Sequence, residues 1–597
     1  IAMTITLAAV YAPIGLQGGL TGSLFREFAF TLAGTVTISG IVALTLSPLM
    51  SSRLLTPGIE ERGLPGFIAS NFRRLRDFYG RCLALTLAAR PAVYTTWIII
   101  SILTVPMFTM SAKELAPSED QGIIFSILDA SANSTLDQNR FFADAVNRVY
   151  TSTPEYEFTF QVTFPNAGFA GLVLKPWDDR KRTVFQVLPE VQAKLSAIPG
   201  IQAFAVTPPA LPGGGDFPVE FVVASTADTR EILEFAKQLQ MKAMASGMFA
   251  FPPLIDVKID QPQTEFVVDK DKVAALGLTL GQVGGDLGGM VGGNYVNRFD
   301  ISGRSYKVIP QIERSGRLNP GQLQDVYVTG PGGKLIEFST IATQRDTVVP
   351  RSLNRFQQLN AVKLSGVPMR PLDEALAFLE KEAKKILPQG YVMDYTGESR
   401  QLRTEGNRFL PAFALAIILI FLVLAAQFNS FRDPFVILAG SVPLAMFGSL
   451  LFTFLKMPDP NVPFLTNGWT TTLNIYSQVG LVTLVGLVSK NGILIVEFAN
   501  KLQLQGLPKL DAIQQAAKIR LRPVLMTTAA TIAGHFPLTL VSGAGAAARN
   551  SIGLVLVGGM FVGTLFTLFI IPSIYMLIAR DHGKDREREA VVAAAEV

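Results

Sequence analysis

A lysine interrupts a long apolar stretch in the C-terminal part of this chain. Residues 479–501 read VGLVTLVGLVSKNGILIVEFANK: mostly apolar residues to Val488, then Ser489, Lys490 and Asn491, then an apolar run again. At a rise of about 1.5 Å per residue, such a run is long enough to cross a bilayer as a helix. A charged side chain at mid-depth costs roughly 3 kcal/mol or more unless it faces protein, water or a counter-charge. Lys490 is too far from either end of the stretch to snorkel to an interface. Any fold must therefore enclose this ammonium in a helical bundle. A titratable group in an ion or proton pathway explains it better than a simple pin between helices.

The other apolar stretches give the lysine its bundle. The 597 residues have a mean hydropathy of +0.35, with 49% hydrophobic and 17% charged. Those values exclude a single soluble core and point to a polytopic membrane protein with a substantial polar part. A net charge of +5 is too small to signal nucleic-acid binding. Cys82 is the sole cysteine, which excludes an intrachain disulfide and a cysteine-based zinc site.

Span patterns fall near 28–49, 93–110, 410–427, 435–455, 476–498, 523–541 and 552–579. Residues 1–14 are apolar but shorter than a span, as in a truncated first helix, and lack the charged start of a signal peptide. The expectation is about eight spans. Between them, Phe67, Phe72, Leu75, Phe78, Tyr79 and Cys82 recur at helical spacing opposite Arg73, Arg74 and Arg76, which predicts an interfacial helix near 67–90. Arg and Lys crowd the 53–90 loop, the 500–522 linker and the C-terminal tail. The positive-inside rule then puts those segments in the cytoplasm and residues 111–408 outside.

Residues 111–408 alternate strand and helix patterns, which predicts an α+β domain of split βαβ units. A Gly-rich lead (GGDLGGMVGGNY) and paired short strands predict a projecting insert over 277–362. Aromatic residues gather at Tyr156, Phe158, Phe160, Phe164, Phe169 and Trp177. Residues 164–171 (FPNAGFAG) read as a Gly-containing mobile loop, and Glu220 could offer one charge to cationic substrates. Phe158 and Phe160 could equally be ordinary core. Met241, Met244 and Met248 have helical spacing; thioethers so placed could bind Cu(I), but such a stripe is more often core filler.

Several motifs in order carry a family resemblance: ELAPSEDQGIIF (114–125), GGNYVNRFDISGRSYKV (292–308), GLVSKNGILIVEFANK, and LRPVLMTTAATIAGHFPL followed by GAGAAARNSIG. The chain resembles the C-terminal part of a resistance-nodulation-cell division efflux pump of the hydrophobe/amphiphile branch, from within its fifth transmembrane helix to the end of its twelfth. The resemblance implies a proton relay of Lys490, Asn491, Arg520 and Thr527, with proton as coupling ion and neither cofactor nor metal. It implies a substrate path along Phe160, Phe164, Phe169 and Glu220. It also implies a Gram-negative inner membrane, amphiphilic substrates, a homotrimer, a periplasmic adaptor and an outer-membrane channel.

The implied domains are transmembrane helices at 1–110 and porter subdomains at 111–225 and at 226–276 with 363–408. A docking insert at 277–362, a bundle at 409–580 and a cytoplasmic tail at 581–597 complete them. Alternatives are a metal or lipid exporter of the same superfamily, and a non-transporting scaffold. No Asp or Glu lies mid-span. Asp433 and Glu497 sit near cytoplasmic ends, and Glu497 is about 10 Å along the helix from Lys490. The lysine's carboxylate partner is therefore expected outside this chain, where the resemblance puts an aspartate pair in the fourth helix.

Overall fold

The computed structural model describes residues 2–16, 18–54, 63–165, 167–406, 409–455 and 470–581. The tail from 582 and much of the 456–475 loop fall outside the described residues.

Helices α1 (Ala2–Leu16), α2 (Gly19–Leu54), α3 (Gly63–Ala88) and α4 (Arg90–Met110) come first. The chain re-starts at Arg90 because Pro91, without an amide donor, is best placed in a first helical turn. On α3, Tyr79, Leu83 and Leu87 are buried while Phe67, Leu75 and Phe78 stay exposed. The Tyr79 hydroxyl donates to the Leu568 carbonyl at 2.6 Å.

The first α+β unit runs β1 (Ile123–Ala130), α5 (Leu136–Thr151), β2 (Tyr156–Thr163), β3 (Ala167–Leu174), α6 (Val184–Ser196) and β4 (Ile201–Val206). Its antiparallel sheet has the order β2-β3-β1-β4, a split βαβ arrangement. Alternation in β1 turns Ile124 and Leu128 toward Val146, Tyr150, Val187 and Val191 of the helices. Phe125, Ile127 and Asp129 are left on the opposite, uncovered face. Of the loop expected at 164–171, Asn166 lies outside the described residues, and residues 167–171 are instead the first part of β3. Its glycine is a strand residue because the Phe160 ring lies over Gly171, where a Cβ would come within 2.2 Å of it.

A second unit opens with β5 (Val219–Ser225), α7 (Thr229–Ala245) and β6 (Leu254–Ile255). The chain then departs through β7 (Ile259–Val268), α8 (Lys270–Ala275), α9 (Leu280–Met290), β8 (Asn297–Ile301), β9 (Arg304–Val308), β10 (Tyr327–Thr329), β11 (Leu335–Glu337) and β12 (Ala342–Pro350). It returns as β13 (Arg355–Phe356), β14 (Leu359–Gly366), α10 (Leu372–Ile386) and β15 (Val392–Tyr395). The sheet order is β13-β14-β5-β15, with β6 also on β14. Two expected boundaries move. β5 pairs with β14 and β15, so residues 219–225 belong to the second unit and not the first. The insert begins at the β7–β12 ribbon rather than at 277, and β14 lies outside it.

The remaining helices are α11 (Gly397–Gly406), α12 (Phe409–Phe428), α13 (Arg432–Phe454), α14 (Ile475–Leu504), α15 (Lys509–Leu540) and α16 (Ala546–Ile578). Six helices among the described residues are long and apolar enough to cross a membrane: α2, α4, the one ending in α12, α13, α14 and α16. The two further expected spans are α1, which is short, and α15, whose first half carries Lys509, Asp511, Lys518, Arg520 and Arg522. Small residues let α13 and α16 touch by their backbones. A Cβ on Gly448 would lie 2.5 Å from the Val562 Cβ and 2.9 Å from the Gly558 carbonyl oxygen.

Candidate functional site

Lys490 lies midway along α14, 15 residues after Ile475 and 14 before Leu504. Its ammonium donates to the Thr531 hydroxyl of α15 at 2.9 Å. Thr531 in turn donates to the Thr527 carbonyl, and His535 Nδ1 lies 2.7 Å from the Thr531 carbonyl oxygen. Among the described residues no carboxylate pairs with Lys490. The adjacent Asn491 is fully buried and points another way. Its amide donates to Thr564 of α16 at 3.1 Å and reaches Thr528 of α15 at 3.5 Å. Its side-chain oxygen is buried with no partner among the described residues. Three helices thus meet through hydroxyl, amide and ammonium groups that can pass or hold a proton.

Of the four expected relay residues, the structure brings Lys490 and Asn491 to this junction. Thr527 is one helical turn from it and bonds the Val524 carbonyl through its own hydroxyl. Arg520 stands 11 residues before Thr531, about 16 Å along the helix, with its guanidinium 4.4 Å from the Phe498 ring centre. Thr531 and Thr564 are the two contacts that sequence reasoning missed. For Thr531 the signal is the TTAAT pattern at 527–531, which sets hydroxyls on two faces of α15.

The second constellation is the uncovered face of the first sheet. The rings of Phe125, Phe160 and Phe169 form a triangle with centroid distances of 5.1, 5.9 and 6.3 Å. Cross-strand register extends it: Val162, Phe169, Ile127 and Phe204 oppose one another across all four strands. Phe164 stands at the end of the β2–β3 hairpin, 52% exposed. Phe158 is 54% exposed, so it is not core. Trp177 leaves the group and stacks on Arg180 at 4.4 Å.

The β4 end of that face opens into a cavity of about 1140 Å³ between the two units and the β7–β12 ribbon. Ile127, Phe204, Phe217 and Leu233 line it with charged groups of both signs. At its rim Asp129 pairs with Lys258 and, at 3.2 Å, with Arg351, which also holds Asp260 at 2.6 Å. On the wall, burial pushes the Asp256 carboxyl above the ordinary range despite bonds from the Lys363 amide and Asn354. Glu220 is not on the surface of this cavity. It is 3% exposed, accepts from Thr396 and from the Asp216 amide, and pairs with Lys363 at 3.3 Å. Met241 and Met244 are 64% and 63% exposed on α7 and fill no core.

Comparison with known proteins places this geometry. The description "AcrB/AcrD/AcrF family" matches residues 1–579. An uncharacterized transporter of Haemophilus influenzae is 40% identical over 98% of this chain and 56% of its own length. The multidrug/solvent efflux pump membrane transporter MepB of Pseudomonas putida is 31% identical, over 99% of this chain and 57% of its own. The multidrug export protein AcrF of Escherichia coli is 29% identical, over 97% and 57%. The chain thus spans a little over half the length of these relatives. It belongs to the AcrB/AcrD/AcrF family of resistance-nodulation-cell division transporters.

Proposed function

We propose that this chain forms the greater part of a proton-driven exporter of hydrophobic or amphiphilic compounds. The observation that carries the reading is the Lys490–Thr531 contact in the middle of α14, beside the Asn491–Thr564 contact. An ammonium is held there at mid-bundle depth, and its stability depends on what charge approaches it. In this reading a carboxylate from the portion of the relatives that this chain does not span comes to Lys490. Protonation of that carboxylate releases the ammonium, and α14, α15 and α16 shift relative to one another. A proton crossing about 150 mV supplies roughly 3.5 kcal/mol for the movement. Substrate enters the cavity between the units and moves over the aromatic sheet face. Multidrug, solvent and export functions in the names of the relatives support this class of cargo. The assembly is a homotrimer in the inner membrane, joined to a periplasmic adaptor and an outer-membrane channel.

The charge argument gives the test. Residues 1–597 expressed alone in a drug-sensitive host should confer no resistance. Supplying an N-terminal segment of a relative with a mid-membrane carboxylate should restore it, and resistance from the 597 residues alone would overturn the reading.

Orientation is checked separately, in a protein whose Cys82 is replaced by Ala. A cysteine at the exposed hairpin residue Ser302 should react with an impermeant thiol reagent in intact cells. One at Gly583, outside the described residues, should react only after permeabilisation, and the reverse pattern would invert the topology.

The aromatic face has its own test. Phe160→Ala with Phe169→Ala should change resistance to some compounds several-fold more than to others, at unchanged protein level. Both rings are partly exposed, so their removal leaves little cavity. Equal loss for all compounds with degraded protein would make them core residues.

A further inference from the structure

Between α4 and β1 the chain runs as a strap, residues 111–122, across the amino ends of α14 and α16, two of the three helices that build the mid-bundle site. Its first half is laced to the start of α14. The Leu473 amide donates to the Ala112 carbonyl at 2.8 Å, the Ile475 amide to that of Leu115 at 3.1 Å, and Thr472 donates to Glu114. Glu119 then closes on α16. Its two carboxylate oxygens accept from the Ala548 amide at 2.7 Å and the Ala547 amide at 3.4 Å. The Gly545 cap offers that helix no side chain, so a residue 429 positions away serves its first turn.

The next residue faces the opposite way. Asp120 takes both terminal nitrogens of Arg180 at 2.8 and 2.9 Å and accepts the Val184 amide, the first of α6, at 2.8 Å. Trp177 lies on Arg180 and donates to the Asp120 carbonyl at 3.3 Å. Two adjacent carboxylates thus hold two helix starts, one in the bundle and one in the first α+β unit. Their Cα atoms are only about 3.8 Å apart, which leaves no slack between the grips.

We infer that Glu119 is a positioning residue for transport, passing displacement of α16, which carries Thr564 of the mid-bundle site, through Asp120 to α6 and the first sheet. What is passed rests on the proton reading above. The grip itself does not.

A double-mutant cycle read by amide hydrogen exchange tests this on the full chain in proteoliposomes, at one pH. Lys490→Met should change exchange at amides 547–548 and also at 184–187, by roughly fivefold or more. With Glu119→Ala added, the response to Lys490→Met should persist within α14 and vanish at 184–187. Glu119→Asp, which keeps a carboxylate, should restore part of it. Glu119→Gln replaces the Ala variant if that one fails to fold. In transport-competent vesicles Glu119→Ala should lower drug efflux about tenfold or more while proton influx continues, a split that simple loss of a helix cap would not produce. An unchanged response at 184–187 without Glu119 overturns the strap while leaving the proton reading standing. If Lys490→Met moves neither segment of the otherwise intact protein, the proton reading falls and the strap's role in transport with it.

Discussion

Lys490→Met should abolish resistance while leaving protein level and membrane insertion intact. Methionine matches the length of the lysine stem and removes the mid-membrane charge, so α14 should insert at least as readily as in the parent. What is lost is the donor to Thr531 and the charge that an approaching carboxylate would answer. Measured in a drug-sensitive host that also carries the complementary N-terminal portion, the variant should be indistinguishable from an empty host. Lys490→Arg should rescue it at most in part, because the planar, bulkier guanidinium does not reproduce the compact ammonium held against Thr531. Retained resistance in the Met variant would remove Lys490 from the mechanism.

That lysine was legible in the sequence because a charge in an apolar run has few physical accounts. Its partner was not. Thr527 and Thr531 lie one turn apart on α15, and which of them meets α14 depends on the rotation of one helix against another. The same limit applies to β5. Its seven residues are all buried and read plainly as a strand, but its paired residues lie 135 and more positions away, across the insert. Pairing at that range leaves no local trace. The loop expected at 164–171 failed for another reason. Gly168 and Gly171 were read as flexibility, whereas Gly171 is there to admit the Phe160 ring. By contrast, the alternation of residues 122–131 puts Phe125 with Ile127 on one face of β1, and the strand registers then bring Phe125 to Phe160 and Phe169.

Arg180→Ala should destabilise the first α+β unit by about 3–5 kcal/mol, the cost of leaving one partner of a buried ion pair alone. The side chains of Arg180 and Asp120 are 1% and 4% exposed, so water cannot replace the lost bonds. Burial works against ionisation of Asp120. The hydrogen bonds from Arg180 and from the Val184 and Gly122 amides outweigh it and hold the carboxyl below its ordinary range. With a lowered native pKa, its stabilisation is present above the ordinary value of 3.8 and is lost as pH falls below it. Parent and variant should therefore differ most near neutrality and converge in acid, as followed by thermal unfolding of the detergent-solubilised protein. A variant as stable as the parent at pH 7 would show that the pair is dispensable.

The open face of the first sheet bears on how the protein is made. β2 is an edge strand, and Phe158, Phe160 and Val162 alternate along it, all substantially exposed. An unpaired edge with an apolar comb is a template for association between copies. Each newly folded copy therefore presents an adhesive surface until a neighbour covers it. Prompt covering of the comb then protects the protein from aggregation, and the exposed rings set a limit on how long an uncovered copy survives.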